Sequence, residues 1–366
     1  MKTRSAVVMN PGGQFNLENI ELPEMRDQEV LVRIVGTGMC HTDLAVRDGL
    51  LYQTPFPCVL GHEGAGIIEK VGRDVSTLQR GDQVLISFSA CGKCKMCEAG
   101  HFSYCEKTLQ MNYGSNGGPD VMSGSLESGT ALFTQFFGQS SFSEFAIAHK
   151  TQVVKVEVGE DLKWLGPLGC SVQAGAGAVL NVGKPQRGDS IVIFGAGAVG
   201  LSALMAAKVA GCSPIIVVDN ETSRLEKSLM LGADICLKPD EEGFVKSIRL
   251  ATKGGAQFSI DCTGVASVLP LAVRILDRLG TCILVGAVPP KSVTQLDSSQ
   301  LLSGRTIRGT TAGDSSPKIF IPILIDFWKL GQLPIQEIST LFVFEKIEEA
   351  AAAMKSGTTI KPIITM

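Results

Sequence analysis

The chain has 366 residues, with 33 basic and 36 acidic side chains, a formal net charge of -3 and 45% hydrophobic residues. At roughly 150 residues per domain, this length predicts two domains, each with an ordinary hydrophobic core. The nearly balanced charge and the lack of a basic run exclude nucleic acid and an anionic membrane surface as the main partner, because binding to either needs clustered Lys and Arg. We therefore expect a small-molecule substrate.

Two regions of the chain differ in their sequence pattern. Residues 5–147 contain short β-rich runs, such as 30–35 and 83–87, broken by Gly, Pro and Asp, which predicts an irregular, largely antiparallel β domain. After residue 170, apolar strands, glycine turns and helical stretches alternate, which predicts a parallel, doubly wound α/β sheet. Its strands are predicted at residues 190–194, 215–218, 258–260 and 281–285. We expect about the last fifty residues, which begin with a helix-like run, to return to the first domain.

Cysteine usage and hydropathy bear on the compartment. The first residues lack the apolar core of a signal peptide, and eleven cysteines are an odd number, which argues against a complete disulfide framework. We therefore expect a cytoplasmic protein, in which clustered thiols usually bind metal. The uncharged run 191–207 is shorter than the ~20 residues that a membrane span requires, so we expect no membrane association.

A glycine-rich turn follows the first predicted strand of the second region. Gly195, Gly197 and Gly200 form a G-x-G-x-x-G pattern around Val199, a helical stretch follows, and Asp219 closes the next strand. In this context the glycines let the backbone and the helix N-terminus approach a pyrophosphate, while the Asp219 carboxylate accepts hydrogen bonds from adenosine ribose hydroxyls and repels a 2′-phosphate. The pattern predicts NAD as cofactor. The alternative is a turn without a ligand, with Asp219 an ordinary residue at the end of a strand.

Four cysteines lie in one short window, at Cys91, Cys94, Cys97 and Cys105. Four thiolates close a tetrahedral zinc shell with no open position, which predicts a structural metal site. An iron-sulfur cluster uses the same type of ligand. Four unligated thiols in a polar loop are disfavoured, because exposed thiols oxidise readily.

A third set of candidate metal ligands is dispersed along the chain, at Cys40, His62 and Cys170. Their spacing forms no local metal motif, so each residue by itself reads as a buried cysteine or a core histidine. Their neighbours are more informative: Gly-Met-Cys-His-Thr-Asp contains Cys40, Gly-His-Glu-Gly-Ala-Gly contains His62, and Leu-Gly-Cys ends at Cys170. These strings match the ligand segments of the zinc-dependent medium-chain alcohol dehydrogenases, which the sequence resembles over its whole length.

The resemblance implies two domains of different architecture. A GroES-like, β-rich catalytic domain would consist of residues 1–170 and 311–366, and a Rossmann NAD-binding domain of residues 171–310. The resemblance also favours zinc over an iron-sulfur cluster in the four-cysteine window. It therefore implies two zinc ions per chain, one catalytic and one structural.

The resemblance assigns roles to the residues around the catalytic zinc. Cys40, His62 and Cys170 would hold the ion, with water or the alcohol as fourth ligand. Glu63 matches a neighbouring or transient ligand, and Asp43 matches the carboxylate that fixes the ring orientation of His62. Zinc would lower the pKa of the bound alcohol, and the resulting alkoxide would give hydride to C4 of the nicotinamide.

The proton path is shorter than in many relatives. Thr42 matches the hydroxyl that takes the proton of the alcohol, but the positions of the usual relay histidine read Leu44, Ala45 and Val46. Either the nicotinamide ribose and water complete the path, or His41 does. The resemblance favours His41 as a residue that binds the cofactor pyrophosphate.

Other cofactor contacts also follow only from the resemblance. Arg224 matches a basic residue near the adenosine, and Lys361 matches one that meets the pyrophosphate; either could equally be a solvated surface charge. Val285, Gly286 and Ala287 would present backbone groups to the nicotinamide carboxamide.

The substrate class rests on a phenylalanine-rich segment. Phe136 and Phe137 match positions that line the substrate channel, and because neighbouring side chains of a strand point to opposite faces, one of them is expected in the core. Residues 136–145 and 165–177 most resemble the bacterial aryl-alcohol (benzyl alcohol) dehydrogenases, which implies oxidation of a primary aromatic alcohol to its aldehyde. Similar pockets serve allylic terpene alcohols such as geraniol and perillyl alcohol.

Two alternative functions are less consistent with the sequence. A polyol or glutathione-adduct (formaldehyde) dehydrogenase of the same family is disfavoured, because the phenylalanine-rich segment has no basic partners. A non-catalytic NAD-binding protein is disfavoured, because the full ligand set is present together with Thr42 and Asp43. The parallel sheet of the family ends in an edge strand expected near residues 285–290, so we expect a homodimer or a homotetramer.

Overall fold

The computed structural model describes residues 1–51, 54–115 and 122–366. The chain divides into two compact units. The first unit consists of Met1–Cys170, Ser316–Asp326 and Pro334–Met366, and the second unit consists of Ser171–Ser315 and Phe327–Leu333.

The secondary structure of the described residues is numbered in chain order. The first strands are β1 (Lys2–Val8), β2 (Asn16–Glu21), β3 (Glu29–Gly38), β4 (Cys58–Val59), β5 (Glu63–Val71), β6 (Gln83–Ile86), β7 (Gly124–Leu126), β8 (Ala131–Leu132), β9 (Phe145–His149) and β10 (Val153–Val156). The later strands are β11 (Ile191–Phe194), β12 (Ile215–Val218), β13 (Ile235–Leu237), β14 (Ala256–Asp261), β15 (Leu276–Leu284), β16 (Thr306–Gly309), β17 (Ser339–Val343) and β18 (Lys361–Thr365). The α-helices are α1 (His41–Arg47), α2 (Lys95–Glu98), α3 (Thr108–Tyr113), α4 (Ser171–Gly177), α5 (Ala198–Ala210), α6 (Thr222–Leu231), α7 (Phe244–Ala251), α8 (Val268–Arg274), α9 (Pro317–Lys329) and α10 (Ile347–Lys355).

Two mainly antiparallel sheets form the first unit, as the interrupted β-rich pattern predicts. One has the strand order β4-β1-β2-β7-β8, and the other has the order β10-β6-β5-β3-β18-β17, with β9 also paired to β3. In the larger sheet, Gly38 at the end of β3 pairs with Glu63 of β5 and with Ile363 of β18. The register therefore brings together three distant segments, with Cys40 two residues beyond Gly38 and His62 one residue before Glu63.

A six-stranded parallel sheet forms the second unit, in the order β13-β12-β11-β14-β15-β16. Every residue of β11 and β12 is apolar and buried, as in central parallel strands that are covered on both faces. The strand order reverses at β11, which has β12 on one side and β14 on the other. In such sheets, ligands bind beyond the carboxyl ends of the strands at this switch point. The predicted doubly wound sheet is confirmed, and the glycine turn follows its switch strand.

The structure divides the chain somewhat differently from the predicted domain boundary. The sequence assigns residues 311–366 to the catalytic domain, but residues 311–315 and Phe327–Leu333 belong to the second unit. The first difference has a local cause, because Asn181 Nδ2 donates a hydrogen bond to the carbonyl oxygen of Gly313 at 3.0 Å. The rest of the C-terminal segment lies in the first unit.

The edge strand expected at residues 285–290 is not there. These residues form no strand, and β16 instead pairs with β15 in parallel and is the outermost strand of the sheet on that side. The cause is the length of the chain after β15, which runs through a loop before it returns to the sheet. Across the described residues, no helix is both long and apolar enough to span a membrane.

Candidate active site

One buried carboxylate connects the segments that carry Cys40 and His62. Cys40 immediately precedes α1, and its backbone N–H donates to Asp43 Oδ2 at 2.8 Å. The other carboxylate oxygen, Oδ1, accepts from the backbone N–H of Gly61 at 3.0 Å and from His62 Nδ1 at 2.8 Å. With Nδ1 donating to Asp43, the free lone pair of the imidazole is on Nε2, which is the form that binds a metal ion.

The three dispersed candidate ligands and Glu63 lie close together, and we call these four residues the ligand cluster. One ligand atom each from Cys40, His62, Glu63 and Cys170 lies within 4.8 Å of the others. His62 Nε2 is buried and has no hydrogen-bond partner, which is costly unless a metal ion binds there. Two thiols and one imidazole are a donor set that zinc prefers, so these residues fit a catalytic zinc ion.

The electrostatics of this cluster favour an ionised thiol. Cys170, most strongly, and His62 lower the pKa of the Cys40 thiol well below its ordinary value, against the opposing effect of burial. Burial raises the pKa of Asp43, against the attraction of the paired imidazole. Since the thiolate is the form of cysteine that binds metal ions, the lowered pKa of Cys40 suits it for this role.

A buried ion pair lies beside the ligand cluster. Lys361 is only 1% exposed. Its ammonium group donates to Glu63 Oε2 at 2.8 Å and to the carbonyl oxygen of Met39 at 2.9 Å. The interpretation of Lys361 as a solvated surface charge is therefore wrong. The cause is the register of β18, which carries the residue to the buried end of β3 and β5. Because an unpaired buried charge is strongly destabilising, Glu63 and Lys361 depend on each other.

The four cysteines of the other candidate metal site also converge. The Sγ atoms of Cys91, Cys94, Cys97 and Cys105 lie within 4.8 Å of one another, and all four are free thiols. Hydrogen bonds from the backbone of Glu106 and Cys97 lower the pKa of Cys94 to about 6. Four thiols without an additional position for a substrate fit a structural zinc ion. We call residues 91–105 the four-cysteine lobe.

An aromatic cluster packs against His62. The ring of Phe137 stacks on the imidazole with a centroid distance of 4.4 Å and an interplanar angle of 25°, and Phe136 packs edge-on at 5.6 Å. Tyr113 at the end of α3 makes edge contacts with both phenylalanine rings, at 5.8 Å and 5.0 Å. The three rings form one packed aromatic cluster beside a metal ligand.

The expectation that one of the two phenylalanines lies in the core is confirmed, because Phe136 is fully buried, but the strand that was its reason is not there. Phe136–Gly138 is a turn of 3-10 helix, in which Phe137 has a left-handed φ of 50°. The alternation of side chains holds only for extended backbone. The turn allows both rings to contact His62, although Phe136 is fully buried and Phe137 is half-buried.

The glycine-rich turn of the second unit has the backbone that its pattern predicts. Gly195 has φ of 90°, and Gly200 packs so closely on the Gly195 carbonyl oxygen that no side chain fits there. Gly197 precedes α5, whose first turn contains Val199, and a Cβ at Gly197 would have no neighbour within 4 Å. Asp219 Oδ2 accepts a hydrogen bond from the N–H of Ala196 at 2.6 Å. The carboxylate therefore lies directly beside the turn.

The remaining predicted site residues lie in three places. In α1, His41 is exposed and Thr42 is half-buried. Arg224 in α6 is half-buried. Val285 and Gly286 both donate their N–H groups to the carbonyl oxygen of Asp261, at 2.9 Å and 3.0 Å, so these two donors are used within the protein.

Some residues of the site were not predicted from the sequence. Tyr113 completes the aromatic surface, and the buried amides of Gln139 and Gln152 lie next to it. No motif surrounds these three residues, and only the fold shows that they lie near His62. The pairing of Lys361 with Glu63 has the same origin.

The sequence and the fold match known proteins over the whole chain. Residues 26–158 match the alcohol dehydrogenase GroES-like domain, and residues 198–328 match the zinc-binding dehydrogenase family. The geraniol dehydrogenase of Castellaniella defragrans is 40% identical over 369 residues, which cover 100% of this chain and 98% of that protein.

Two solved structures are similar at the same level of identity. An alcohol dehydrogenase zinc-binding domain protein from Burkholderia ambifaria has 41% identity and a TM-score of 0.97, with 100% of this chain and 99% of that chain covered. The benzyl alcohol dehydrogenase of Acinetobacter calcoaceticus has 40% identity and a TM-score of 0.93, with the same coverage. The chain belongs to the zinc-dependent medium-chain alcohol dehydrogenase family. Its activity is that of a zinc-dependent alcohol dehydrogenase, which disfavours the non-catalytic alternative.

Proposed function

We propose that the protein oxidises a primary aromatic alcohol of the benzyl type to its aldehyde, with NAD as the hydride acceptor. The alcohol loses a hydride from its carbinol carbon and a proton from its hydroxyl, so the products are the aldehyde, NADH and a proton. The reverse reaction uses the same groups.

The observation that carries this proposal is the aromatic surface beside His62. The half-buried Phe137 stacks on the ring of a metal ligand, and the buried Phe136 and the half-buried Tyr113 pack edge-on against it. An apolar site lined by such rings favours an aromatic substrate, because ring pairs gain contact energy beyond the area that they bury. The rings themselves offer no charge to pair with a polar or anionic alcohol, which disfavours polyols and glutathione adducts.

The residues of the ligand cluster have separate tasks in this reaction. Cys40, His62 and Cys170 would hold the zinc ion, and Asp43 fixes the ring of His62. When bound, zinc supplies a Lewis acid that lowers the pKa of the alcohol hydroxyl. Thr42, two residues after Cys40, would take the proton, and since no histidine follows it in α1, the proton would leave by way of the cofactor ribose and water.

The Lys361–Glu63 ion pair adjusts the charge at this site. Lys361 pairs with Glu63, so the negative charge toward a bound zinc ion would come from Cys40, whose thiol pKa is lowered, and from Cys170 once the ion displaces its proton. Two thiolate ligands would balance the charge of a zinc ion held here, and the ion would still act as a Lewis acid toward a neutral alcohol. A second, structural zinc ion in the four-cysteine lobe accounts for its four converging thiols.

NAD is the proposed cofactor because of Asp219. Its carboxylate lies at the end of β12 and is hydrogen-bonded to the glycine turn. A carboxylate here accepts hydrogen bonds from the ribose hydroxyls of NAD and repels the 2′-phosphate of NADP.

An allylic terpene alcohol is the second candidate substrate. A similar relative is a geraniol dehydrogenase, and a conjugated or allylic chain also packs well against apolar rings. The benzyl-type proposal has the support of a similar solved benzyl alcohol dehydrogenase.

A steady-state panel tests the proposal. We expect kcat/KM for benzyl and cinnamyl alcohol to exceed that for ethanol by roughly 100-fold or more, because a buried phenyl group contributes about 25 cal/mol per Å² of apolar area. Geraniol should follow closely, sorbitol should be inert, and NAD should be preferred to NADP. Ethanol or sorbitol as the best substrate would reject the benzyl-type assignment.

A further inference from the structure

Two buried glutamine amides flank the turn that carries Phe137. Gln139 and Gln152 are 1% and 2% exposed, and neither is a candidate metal ligand or part of the proton path. Because a buried amide without hydrogen bonds destabilises a protein, the partners of each amide show what it holds in place.

Gln152 is hydrogen-bonded to the turn itself. Its Nε2 donates to the carbonyl oxygens of Phe137 and Gly138, each at 3.0 Å, and its Oε1 accepts from Ser89 Oγ at 2.5 Å. Phe137 has φ of 50°, a conformation that phenylalanine rarely adopts. Such a backbone conformation persists only where the surrounding structure stabilises it. Here the Gln152 amide fixes the carbonyl groups of Phe137 and Gly138 by hydrogen bonds.

Gly138 provides the space for this amide. It has φ of 65°, and a Cβ at this position would collide with Ser89 Oγ and lie 2.6 Å from Gln152 Oε1. Any side chain at residue 138 would therefore displace the amide. The glycine and the glutamine form one fitted arrangement.

Gln139 ties the other end of the turn to the strand segment of His62. Its Nε2 donates to the His62 carbonyl oxygen at 3.0 Å, and its Oε1 accepts from the N–H of Gly64 at 3.0 Å. Both amides also donate to the carbonyl oxygen of Ser87, at 3.3 Å and 3.4 Å. The network therefore fixes the backbone on both sides of the stacked pair of Phe137 and His62.

We propose that Gln152 is a positioning residue for substrate selection, which holds the Phe137 ring against His62 and thereby sets the preference for flat apolar alcohols. The inference rests on the proposed function. Gln152 touches neither the alcohol nor the metal ion in this account; it acts through the backbone of Phe137. The amide controls where the ring lies, and the ring itself contacts the substrate.

Two substitutions distinguish the effect of the amide hydrogen bonds of Gln152 from the effect of its side-chain volume. Gln152→Met keeps the length of the side chain and removes every hydrogen bond, and Gln152→Glu keeps the acceptor for Ser89 but removes the donor to the turn. We expect both to lower the ratio of kcat/KM for benzyl alcohol to that for ethanol by about tenfold, with kcat/KM for ethanol changed less than about threefold and the zinc content unchanged. An unchanged ratio, or an equal loss for both alcohols, overturns the inference.

A readout without turnover accompanies the kinetics. Within the turn, the N–H groups of Gly138, Gln139 and Ser140 donate to the carbonyl oxygens of Gln135 and Phe136. Hydrogen exchange in a peptide covering residues 135–140 should be faster in Gln152→Met than in the wild type by about tenfold. Unchanged exchange counts against the inference.

The two proposals fail in different measurements. A wild type that prefers ethanol to benzyl alcohol contradicts the proposed function, whereas a wild type that prefers benzyl alcohol and a Gln152→Met variant with the same ratio contradict only the role of Gln152. Should Gln152→Met fail to fold, Ser89→Ala is the substitute, because it removes one hydrogen bond of the amide and leaves Gln152 in place. A smaller fall in the ratio, of about threefold, is then expected, and an unchanged ratio overturns the inference.

Discussion

The two candidate metal sites of the first unit are built in opposite ways. The four-cysteine lobe takes all its ligands from fifteen consecutive residues, 91–105, whereas the ligand cluster draws on three segments between Cys40 and Cys170. The lobe has four thiols and no further position, while the cluster has a buried imidazole and the aromatic surface beside it. A local, closed site such as the four-cysteine lobe therefore stabilises its own loop. A dispersed site such as the ligand cluster instead depends on the sheet that brings its residues together.

The largest expected effect is the loss of activity when a residue of the ligand cluster is substituted. Cys40→Ser should lower kcat/KM by roughly a thousandfold or more, since the loss of the metal ion removes several kcal/mol of transition-state stabilisation. The protein should lose about one zinc ion per chain, remain folded and still bind NADH. Metal analysis, circular dichroism and NADH titration check these outcomes. Activity close to that of the wild type would show that Cys40 is not a ligand.

The matching change in the lobe should act on stability. Cys94→Ser should also remove about one zinc ion per chain, but it should lower Tm by about 10 °C, because binding energy at a closed site contributes to folding. Chains that remain folded should retain their preference among alcohols. Calorimetry with Cys40→Ser as the control makes the comparison. An equal fall in Tm for both variants would remove the distinction between the sites.

A smaller effect is expected from a substitution of Asp43, whose carboxylate contacts the ligand cluster and not the four-cysteine lobe. Asp43→Asn should lower kcat/KM or zinc affinity by about 10- to 100-fold, because a neutral amide orients the ring of His62 less well and makes it a weaker ligand. Competition with a chelator measures the zinc affinity. The four-cysteine lobe should keep its zinc ion in this variant, and loss of both ions would contradict the account.

The smallest effect concerns the substrate preference at the cluster. Phe137→Ala should lower the ratio of kcat/KM for benzyl alcohol to that for ethanol by about tenfold, because the stacking surface is lost. Tyr113→Ala, which removes a ring further from His62, is the matched control and should have a weaker effect. Parallel assays with both alcohols provide the test. An unchanged preference in Phe137→Ala would show that the ring does not face the substrate.

The sequence predicted local features better than dispersed ones. The four-cysteine spacing and the glycine turn are each complete within a few residues, so their ligand type and backbone follow from the motif itself. The cluster around His62 was identified only through family resemblance. Its assembly depends on the pairing of β3 with β5 and β18, which no single segment of the sequence contains.

The failures of prediction have the same physical origin. The two phenylalanines are predicted in a strand, but the left-handed backbone at Phe137 turns the chain, and that turn is held by Gly138 within it and by Gln152 from outside it. The pairing of Lys361 with Glu63 is not evident from the sequence, because the two residues are 298 residues apart. Long-range partners decide both cases.

Zinc analysis of the active wild-type enzyme tests directly whether each chain holds one catalytic and one structural zinc ion. We expect two zinc ions per chain, and we expect chelation to abolish activity when only one ion has been removed and the protein is still folded. One zinc ion per chain in fully active enzyme would contradict the claim that the chain has both a catalytic and a structural site.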